Sequence, residues 1–291
     1  MRSLRTVVTL SALALSLGLA ACGDDDSSGE SASATTTTKT EANAPCDITN
    51  PPLKNAGTLT VGTDKPAYPP YFEDDDPSNG KGFESAVAYA VANELGVKKE
   101  NVKWTVVPFN SSYAPGSKDF DFDINQISIT PERAEQVDFS EPYYAAPQAV
   151  IALNGTDAAK ATDLAGLKDA KLGVQVGTTS LDAVNDVIKP STQPQVFNDS
   201  NDTVSALKNK RVDAIVVDLP TALYLTAAEI DDSTIVGQFT AGGGDEWGLL
   251  AEKDSKLTSC LDEAIGNLRA SGKLDEIQSQ YLGENTAPTL N

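Results

Sequence analysis

The sequence contains no histidine, and this absence removes several classes of catalytic and metal site. Ser-His-Asp and Cys-His nucleophile pairs need an imidazole base, and many zinc sites need imidazole ligands. Only three cysteines are present, so a four-thiolate metal site cannot form either. We therefore expect neither a metal nor a cofactor.

Positive charge is also scarce. The chain has 22 lysines and arginines against 42 aspartates and glutamates, a formal net charge of −20. A nucleic-acid-binding protein needs a basic surface to displace counterions from phosphates, so no nucleic acid is expected as a partner. The hydrophobic content of 40% is that of a globular protein, and 291 residues allow one large domain or two medium ones.

The first twenty residues have the pattern of a secretory signal. Arg2 and Arg5 precede an uncharged apolar stretch, Val7–Ala20, which is short for a membrane span. The stretch ends in Leu-Ala-Ala-Cys, which resembles the bacterial lipobox, and this resemblance implies cleavage before Cys22 and lipidation of that cysteine. The alternative is an ordinary signal peptide (residues 1–21) that leaves Cys22 as a free thiol. We expect a lipid anchor on the extracytoplasmic face of the cell membrane.

A polar segment separates this anchor from the folded part of the chain. Residues 22–52 are rich in Ser, Thr, Ala, Asp and Glu and show no apolar periodicity. Such a segment buries too little apolar surface to offset the entropy of ordering, which predicts a flexible tether.

With Cys22 assigned to lipid, Cys46 and Cys260 form an even pair in an oxidising compartment, which predicts a disulfide. Two unrelated buried thiols are the alternative.

The rest of the chain alternates short β-branched runs with helical stretches. This alternation predicts an α/β fold with mainly parallel sheets. Two similar strand–turn–helix units, beginning near Leu59 and Leu172, suggest two lobes. The predicted strands are 58–63, 102–107, 123–128, 149–153, 171–176, 195–197, 214–217 and 248–251, and the predicted helices are 82–95, one ending at 187, 203–209, 257–271 and 274–281.

Four segments, supported by the C-terminal stretch Trp247–Gly283, resemble the polar-amino-acid family of extracytoplasmic solute-binding proteins that serve ABC importers. This resemblance implies the type II periplasmic-binding-protein fold, in which two α/β lobes are joined by a two-segment hinge. Lobe I would contain residues 53–145 and 248–291, and lobe II residues 146–247. The four segments are Leu59–Phe72 (LTVGTDKPAYPPYF), Phe122–Tyr144 (FDINQISITPERAEQVDFSEPYY), Leu172–Ser180 (LGVQVGTTS) and Val216–Tyr224 (VVDLPTALY).

Arg133 is the first candidate for ligand binding. It follows Thr130 and a proline, which is the chemistry of a helix start, and its fork suits a carboxylate by bidentate hydrogen bonding. From the residues alone, an ion pair with Glu135 or Asp138 is an equal alternative. The resemblance implies that Arg133 binds the α-carboxylate of the ligand, with further contacts from Ser128 and the backbone at Gln126.

Lobe II supplies the remaining polar candidates. The segment Gly177–Ser180 follows a strand and opens a helix, as an anion-binding turn does, although one of Thr178 and Thr179 can be a simple N-cap. The resemblance assigns Thr179 to the ligand carboxylate. Asp218 ends a β-branched strand, where a carboxylate faces the ligand crevice of such a sheet, and the resemblance assigns it to the α-amino group. The alternative for Asp218 is a turn-forming residue before a proline.

The resemblance places Asp64, Tyr68 and Phe109 around the ligand side chain, with the two aromatics on either side of it. The alternative is that either aromatic side chain belongs to the ordinary core or to the pocket wall. Asn125 and Gln126 depart from the small residues usual at their positions, so the identity of the amino acid is left open. Asp64 and the acidic segment Glu73–Asp76 favour a polar or basic amino acid. The resemblance implies a monomer that captures an amino acid by lobe closure and delivers it to permease subunits of an ABC transporter. Alternatives are a dehydratase-like enzyme on the same fold, with Asp64 as the acid–base group, and a sensory lipoprotein.

Overall fold

The structure, a computed structural model, describes residues 46–242, 244–283 and 286–291. The predicted signal peptide, the predicted lipidation site at Cys22 and most of the predicted tether lie outside the described residues. Within the described part of the chain, no helix combines the length and the apolar character needed to span a bilayer.

The described strands form two five-stranded sheets and a two-stranded ribbon. The strands are β1 (Leu59–Thr63), β2 (Val102–Val106), β3 (Phe122–Asp123), β4 (Val137–Phe139), β5 (Tyr144–Ala146), β6 (Gln148–Leu153), β7 (Leu172–Gln175), β8 (Gln195–Phe197), β9 (Ala214–Asp218), β10 (Ser233–Phe239), β11 (Asp245–Trp247) and β12 (Leu250–Glu252).

The described helices differ widely in length. They are α1 (Phe83–Glu94), α2 (Phe109–Ser112), α3 (Pro131–Ala134), α4 (Thr179–Ala183), α5 (Ser200–Lys208), α6 (Leu219–Tyr224), α7 (Thr258–Ala270) and α8 (Lys273–Tyr281), with π-helical continuations of α4 (Val184–Ile188) and α6 (Leu225–Glu229) and 3-10 turns at Pro77–Asn79, Lys99–Asn101, Ala158–Lys160 and Leu164–Leu167.

The sheet topology confirms two α/β lobes joined by a two-segment hinge. The first sheet has the order β2-β1-β3-β12-β4 and the second the order β10-β6-β9-β7-β8. Because β12 lies in the first sheet, the chain leaves that sheet and returns to it. It crosses between the sheets at β5 and β11, which pair with each other in antiparallel fashion.

Both sheets are more mixed than the expected parallel pattern. In the first sheet, β1 is parallel to β2 and β3, but β12 is antiparallel to β3 and β4. In the second sheet, β7 is parallel to β8 and β9, but β6 is antiparallel to β9 and β10. The antiparallel pairs are formed by β6 and β12, the strands that follow the two hinge crossings.

Each lobe has its own apolar core. In lobe I, Phe83, Val87 and Val91 recur at helical spacing along α1 and are fully buried together with α7 and α8. In lobe II, strand β6 is buried on both faces, with Ile151 in one cluster and Val150 in the other. A strand covered on both faces explains the continuous apolar run of β6.

The predicted disulfide is present in the structure. Cys46 bonds to Cys260 of α7, across a sequence separation of 214 residues. Cys260 belongs to the lobe I core, and Cys46 packs against it. The bridge therefore lies within lobe I.

Three local expectations differ from the structure. The strand predicted for 123–128 ends at Asp123, because the chain turns at Gln126, whose φ is +49°. No helix was expected directly after Asp218, where α6 begins. The last residues, predicted in lobe I, contact lobe II instead, since Leu290 packs into a lobe II core and Thr289 bridges to β10.

Candidate functional site

A cleft between the lobes has a volume of about 210 Å³. Its wall contains residues of α2, α3 and the loops after β1 and β3 from lobe I, and of α4, α5, β9 and α6 from lobe II. All nine predicted ligand-binding residues line this cleft: Asp64, Tyr68, Phe109, Gln126, Ser128, Arg133, Thr178, Thr179 and Asp218. Their roles toward a ligand remain predictions.

Arg133 is buried at the start of α3, with 8% of its surface exposed. Thr130 caps this short helix, since its hydroxyl accepts a hydrogen bond from the backbone N–H of Arg133 at 3.2 Å. The guanidinium donates to the carbonyl of Ser128 at 2.7 Å and to the carbonyl of Gly177 in lobe II at 2.9 Å. Desolvation by burial lowers the pKa of Arg133 from its ordinary value, although an arginine stays charged in proteins.

Arg133 does not form the alternative ion pair with Glu135 or Asp138. Asp138 lies 3.2 Å from the Nζ of Lys253, and Glu135 is exposed. The Arg133 guanidinium instead lies 4.6 Å from the ring of Tyr113, in cation–π contact. Two of the five N–H donors of an arginine fork are used by carbonyls, which leaves donors for a carboxylate in the cleft.

Lobe II meets Arg133 at the turn before α4. Thr178 is the N-cap, because its hydroxyl accepts from the N–H of Leu181 at 3.3 Å. The hydroxyl of Thr179 lies 3.2 Å from that of Ser128 in lobe I. Gly177 has a φ of +74°, and a Cβ there would collide with the side chains of Asn110 and Tyr113. Glycine thus allows the two lobes to approach closely beside Arg133.

Asp218 stands at the end of β9 and is half-buried. One carboxylate oxygen accepts a hydrogen bond from Nε2 of Gln148 at 2.7 Å. Burial, followed by repulsion from Asp245, raises the pKa of Asp218 to about 7, while the Gln148 hydrogen bond opposes this rise. Among the described residues, no salt bridge reaches Asp218. A cation from outside the protein would supply that partner.

A fully buried carboxylate, that of Glu84, holds the turn at Gln126. Glu84 is fully buried in α1 and accepts from the backbone N–H of Gln126 at 2.7 Å and from its side-chain amide. The hydroxyl of Tyr143 donates to Glu84 at 2.5 Å. Desolvation raises the pKa of Glu84 to about 7, against these three hydrogen bonds. The backbone N–H of Gln126, predicted to contact the ligand, is therefore engaged by Glu84 within lobe I.

Asp64 joins two elements of lobe I. Its carboxylate accepts from the N–H of Lys65 at 2.6 Å and from the N–H of Phe109 at 3.0 Å. It thereby connects the end of β1 to the start of α2, where Phe109 faces the cleft. Phe109 also contacts Tyr113 edge to face, with ring centroids 5.7 Å apart.

Two tyrosines from the loop after β1 bond across the cleft. The hydroxyl of Tyr68 donates to Oδ1 of Asn201, and the hydroxyl of Tyr71 lies 2.8 Å from that of Thr221. Together with the Arg133–Gly177 bond, these contacts connect the two lobes across the cleft. Tyr71, Asn201 and Thr221 line the cleft but were not predicted, because their partners are more than a hundred residues away in sequence.

The cleft wall carries more acidic than basic side chains. Its acids are Asp64, Asp199, Asp218 and Glu229, and its bases are Lys65 and Arg133. Lys65 is already paired, since its Nζ lies 3.0 Å from Asp75. Within the described part of the chain, no cluster of His, Cys, Asp or Glu side chains is arranged to hold a metal ion.

Comparisons with known proteins agree with this architecture. An ancestral arginine-binding protein, solved with bound glutamine, is 33% identical, covers 79% of this chain and all of its own, and superposes with a TM-score of 0.66. The arginine-, lysine-, histidine-binding protein of Geobacillus stearothermophilus is 25% identical over 78% of this chain and 96% of its own, with a TM-score of 0.66.

A curated relative and a family profile extend the agreement. The L-cystine-binding protein of Escherichia coli (strain K12) is 29% identical over 79% of this chain and 85% of its own length. Residues 59–284 match the profile of the bacterial extracellular solute-binding proteins, family 3. Since this match spans both lobes and the hinge, the chain belongs to that family.

Proposed function

We propose that this protein binds a free amino acid in the cleft by lobe closure and delivers it to the permease of an ABC importer. One observation carries the proposal: a buried arginine from lobe I lines the same cleft as a lobe II carboxylate that forms no salt bridge with any described residue. A free amino acid presents an anion and a cation two bonds apart. The names of the relatives, which bind arginine, lysine, histidine or cystine, support this chemistry.

The proposed roles follow from the contacts. Arg133 binds the α-carboxylate with its remaining N–H donors, aided by the hydroxyls of Ser128 and Thr179, which come from opposite lobes. Asp218 binds the α-ammonium. Because these groups belong to both lobes, the ligand interacts better with the closed state than with an open one, which is the requirement for ligand-driven closure.

We propose a polar or basic side chain for the ligand. After the α-groups are matched with Arg133 and Asp218, the cleft wall retains Asp64 and two further acids against a lysine that is already paired. The rings of Tyr68 and Phe109 provide apolar surface for the stem of such a side chain.

A screen of the twenty amino acids tests the proposal. A ligand stabilises the protein by mass action, so a true ligand at 100 times its Kd should raise the free energy of unfolding by about 2.7 kcal/mol. Thermal unfolding of the mature chain with each amino acid would identify it. The carboxamide and the N-acetyl derivative of the best ligand serve as matched controls, and both should bind poorly. The proposal is wrong if none of the twenty stabilises the protein, or if both derivatives bind as well as the parent.

We propose that Cys22 carries the membrane anchor of the monomer. The support is the Leu-Ala-Ala-Cys sequence after the apolar stretch. Cys22→Ser should move the protein from the membrane fraction to the soluble fraction, as followed by immunoblotting. Cys22→Ser protein that remains in the membrane fraction would contradict the anchor.

Turnover on the same fold is the competing function. Asp64 was the only acid–base candidate, and its two oxygens accept backbone N–H groups that position α2. This structural role favours binding over catalysis. Incubation of the best ligand with the protein, followed by mass spectrometry, separates the two: unchanged ligand supports binding, and a product supports an enzyme. A sensory protein would bind the same ligand without restoring uptake in a permease-containing strain.

A further inference from the structure

Gln148 lies behind the cleft, at the junction of hinge and lobe II. It is the first residue of β6, two residues after the hinge strand β5, and it is fully buried. Its Nε2 donates to Asp218 at 2.7 Å and to Asp245 at 2.6 Å, and its Oε1 accepts from the hydroxyl of Ser180 at 2.6 Å. Each partner belongs to a different element: β9, the hinge strand β11 and α4.

The amide is well matched to this position. A carboxamide has two N–H donors and one carbonyl acceptor, and all three groups form hydrogen bonds here. Two carboxylates that approach each other repel, and both are acceptors only, so a neutral side chain with two donors can satisfy both. A fully satisfied buried network of this kind keeps a single arrangement.

We propose that Gln148 is the positioning residue of the site, and that its amide holds the carboxylate of Asp218, the α4 turn that bears Thr179 and the hinge carboxylate of Asp245 in the arrangement that binds the ligand. This inference rests on the proposed function, in which Asp218 takes the α-ammonium. Gln148 does not itself contact the ligand.

A consequence concerns the protonation of Asp218. The groups that act on it are Asp245 from the hinge, Arg133 from α3, Glu84 from α1 and the Gln148 amide, and Tyr71 lies close enough to respond to its charge. Gln148 and Arg133 favour the carboxylate form, whereas burial, Asp245 and Glu84 disfavour it. Loss of the Gln148 amide should therefore raise the pKa of Asp218, and loss of the Asp245 charge should lower it.

Two variants with opposite expected signs test the inference. In ligand-free protein labelled with ¹³C-aspartate, Gln148→Met should raise the titration midpoint of the Asp218 carboxyl by about one pH unit, and Asp245→Asn should lower it by a similar amount. Asp218→Asn identifies the resonance. Gln238→Met is the matched control, because Gln238 lies in the neighbouring strand β10, away from the cleft wall, and it should leave the midpoint unchanged.

Calorimetry with the best amino acid from the screen provides the second readout. The affinity of the wild type should fall as the pH drops below about 7. This fall in affinity should begin at higher pH in Gln148→Met and at lower pH in Asp245→Asn. At pH 8, Gln148→Met should also bind the ligand about tenfold more weakly than the wild type. A purely structural role would weaken both variants without opposite shifts.

The possible failures are distinguishable. Equal or same-direction midpoint shifts in the two variants overturn the role of Gln148, whether or not an amino acid binds. If the opposite shifts appear but no amino acid binds, the proposed function is wrong. Gln148 then orders Asp218, but not for the binding of an amino acid. Should Gln148→Met not fold, Asp245→Asn replaces it: a lowered Asp218 midpoint in this variant supports the network, and an unchanged midpoint overturns it.

Discussion

Glu84 in lobe I is fully buried and Asp218 in lobe II is half-buried at the cleft wall, and these two carboxylates are satisfied very differently. Burial raises the pKa of each to about 7. Glu84 accepts three hydrogen bonds, two from Gln126 and one from Tyr143. From the described residues, Asp218 accepts one side-chain hydrogen bond, from Gln148, and it lines the cleft.

The difference separates a group that shapes the site from one that is available to bind. A carboxylate has about four lone-pair positions. Three donors nearly saturate Glu84, which therefore fixes the strained turn at Gln126, whereas a single donor leaves Asp218 with capacity for an ammonium. A raised pKa alone does not distinguish the two roles, but the donor count does.

The largest expected effect concerns the groups that face the ligand. Asp218→Asn and Arg133→Ala should each weaken binding by about thirty- to several-thousand-fold, because removal of one member of a buried charge pair costs about 2–5 kcal/mol. Calorimetry measures the loss, and circular dichroism checks the fold. Glu135→Ala, at an exposed position in the next turn, is the matched control and should change affinity by less than about threefold. Near-wild-type affinity in Arg133→Ala would show that the ligand is held elsewhere.

Removal of the disulfide should affect lobe I without affecting the cleft. The double change Cys46→Ser and Cys260→Ser opens a link across 214 residues and should lower the free energy of unfolding by about 2–5 kcal/mol, as urea denaturation measures. Affinity at 25 °C should stay within about threefold of the wild type. A large loss of affinity in a folded double variant would mean that the bridge shapes the site as well.

The pH dependence of stability should reveal both carboxylates. Their folded-state pKa values of about 7 exceed the ordinary values of 4.5 for Glu84 and 3.8 for Asp218. Their contribution to stability is thus complete below about pH 4 and is lost as the pH rises through 7, on the order of 1–3 kcal/mol for each group. Urea midpoints of ligand-free protein between pH 4.5 and pH 8 should record this decline.

Variants sharpen the comparison between these two groups. Glu84→Gln and Asp218→Asn should each flatten the decline of stability with pH, but only Asp218→Asn should lower affinity more than about tenfold. Equal losses of affinity would contradict the division into a shaping and a binding carboxylate.

The smallest effect is expected at the contact between the lobes. Gly177→Ala should weaken binding by about tenfold, because a Cβ at this positive φ collides with Asn110 and Tyr113 of lobe I and opposes closure. Gly155→Ala is the matched control, since its φ is +81° but a Cβ there meets nothing within 4 Å. It should lose stability without losing affinity. Equal affinity losses in both variants would attribute the effect to backbone strain alone.

Much of the architecture was predictable because it depends on near neighbours in the chain. Alternation and spacing predicted β1, α1 and α7 to within about one residue at each end. The N-cap at Thr130 was equally predictable, because a threonine hydroxyl can accept a hydrogen bond from a backbone N–H of the first helical turn, and proline favours the first helical position. The candidate site residues came from family resemblance, and all of them line the cleft.

The errors occurred where burial or distant contacts outweigh local pattern. Ile124 and Ile127 suggested one strand, but both are buried around a turn that Glu84 imposes from 42 residues away. No helix was predicted after Asp218, yet Pro220 stands in the first turn of α6, where a missing N–H costs nothing.

By itself the sequence determined the alternation of elements, the cysteine pairing and the types of residue available to bind a zwitterion. These properties depend on composition and on contacts within a few residues. Only the tertiary structure decided that the Arg133 fork donates to Gly177, that Gln148 holds two carboxylates and that Glu84 accepts three hydrogen bonds. Their partners lie between 42 and 97 residues away in the chain. Their hydrogen bonds and pKa shifts exist only once folding removes these groups from water.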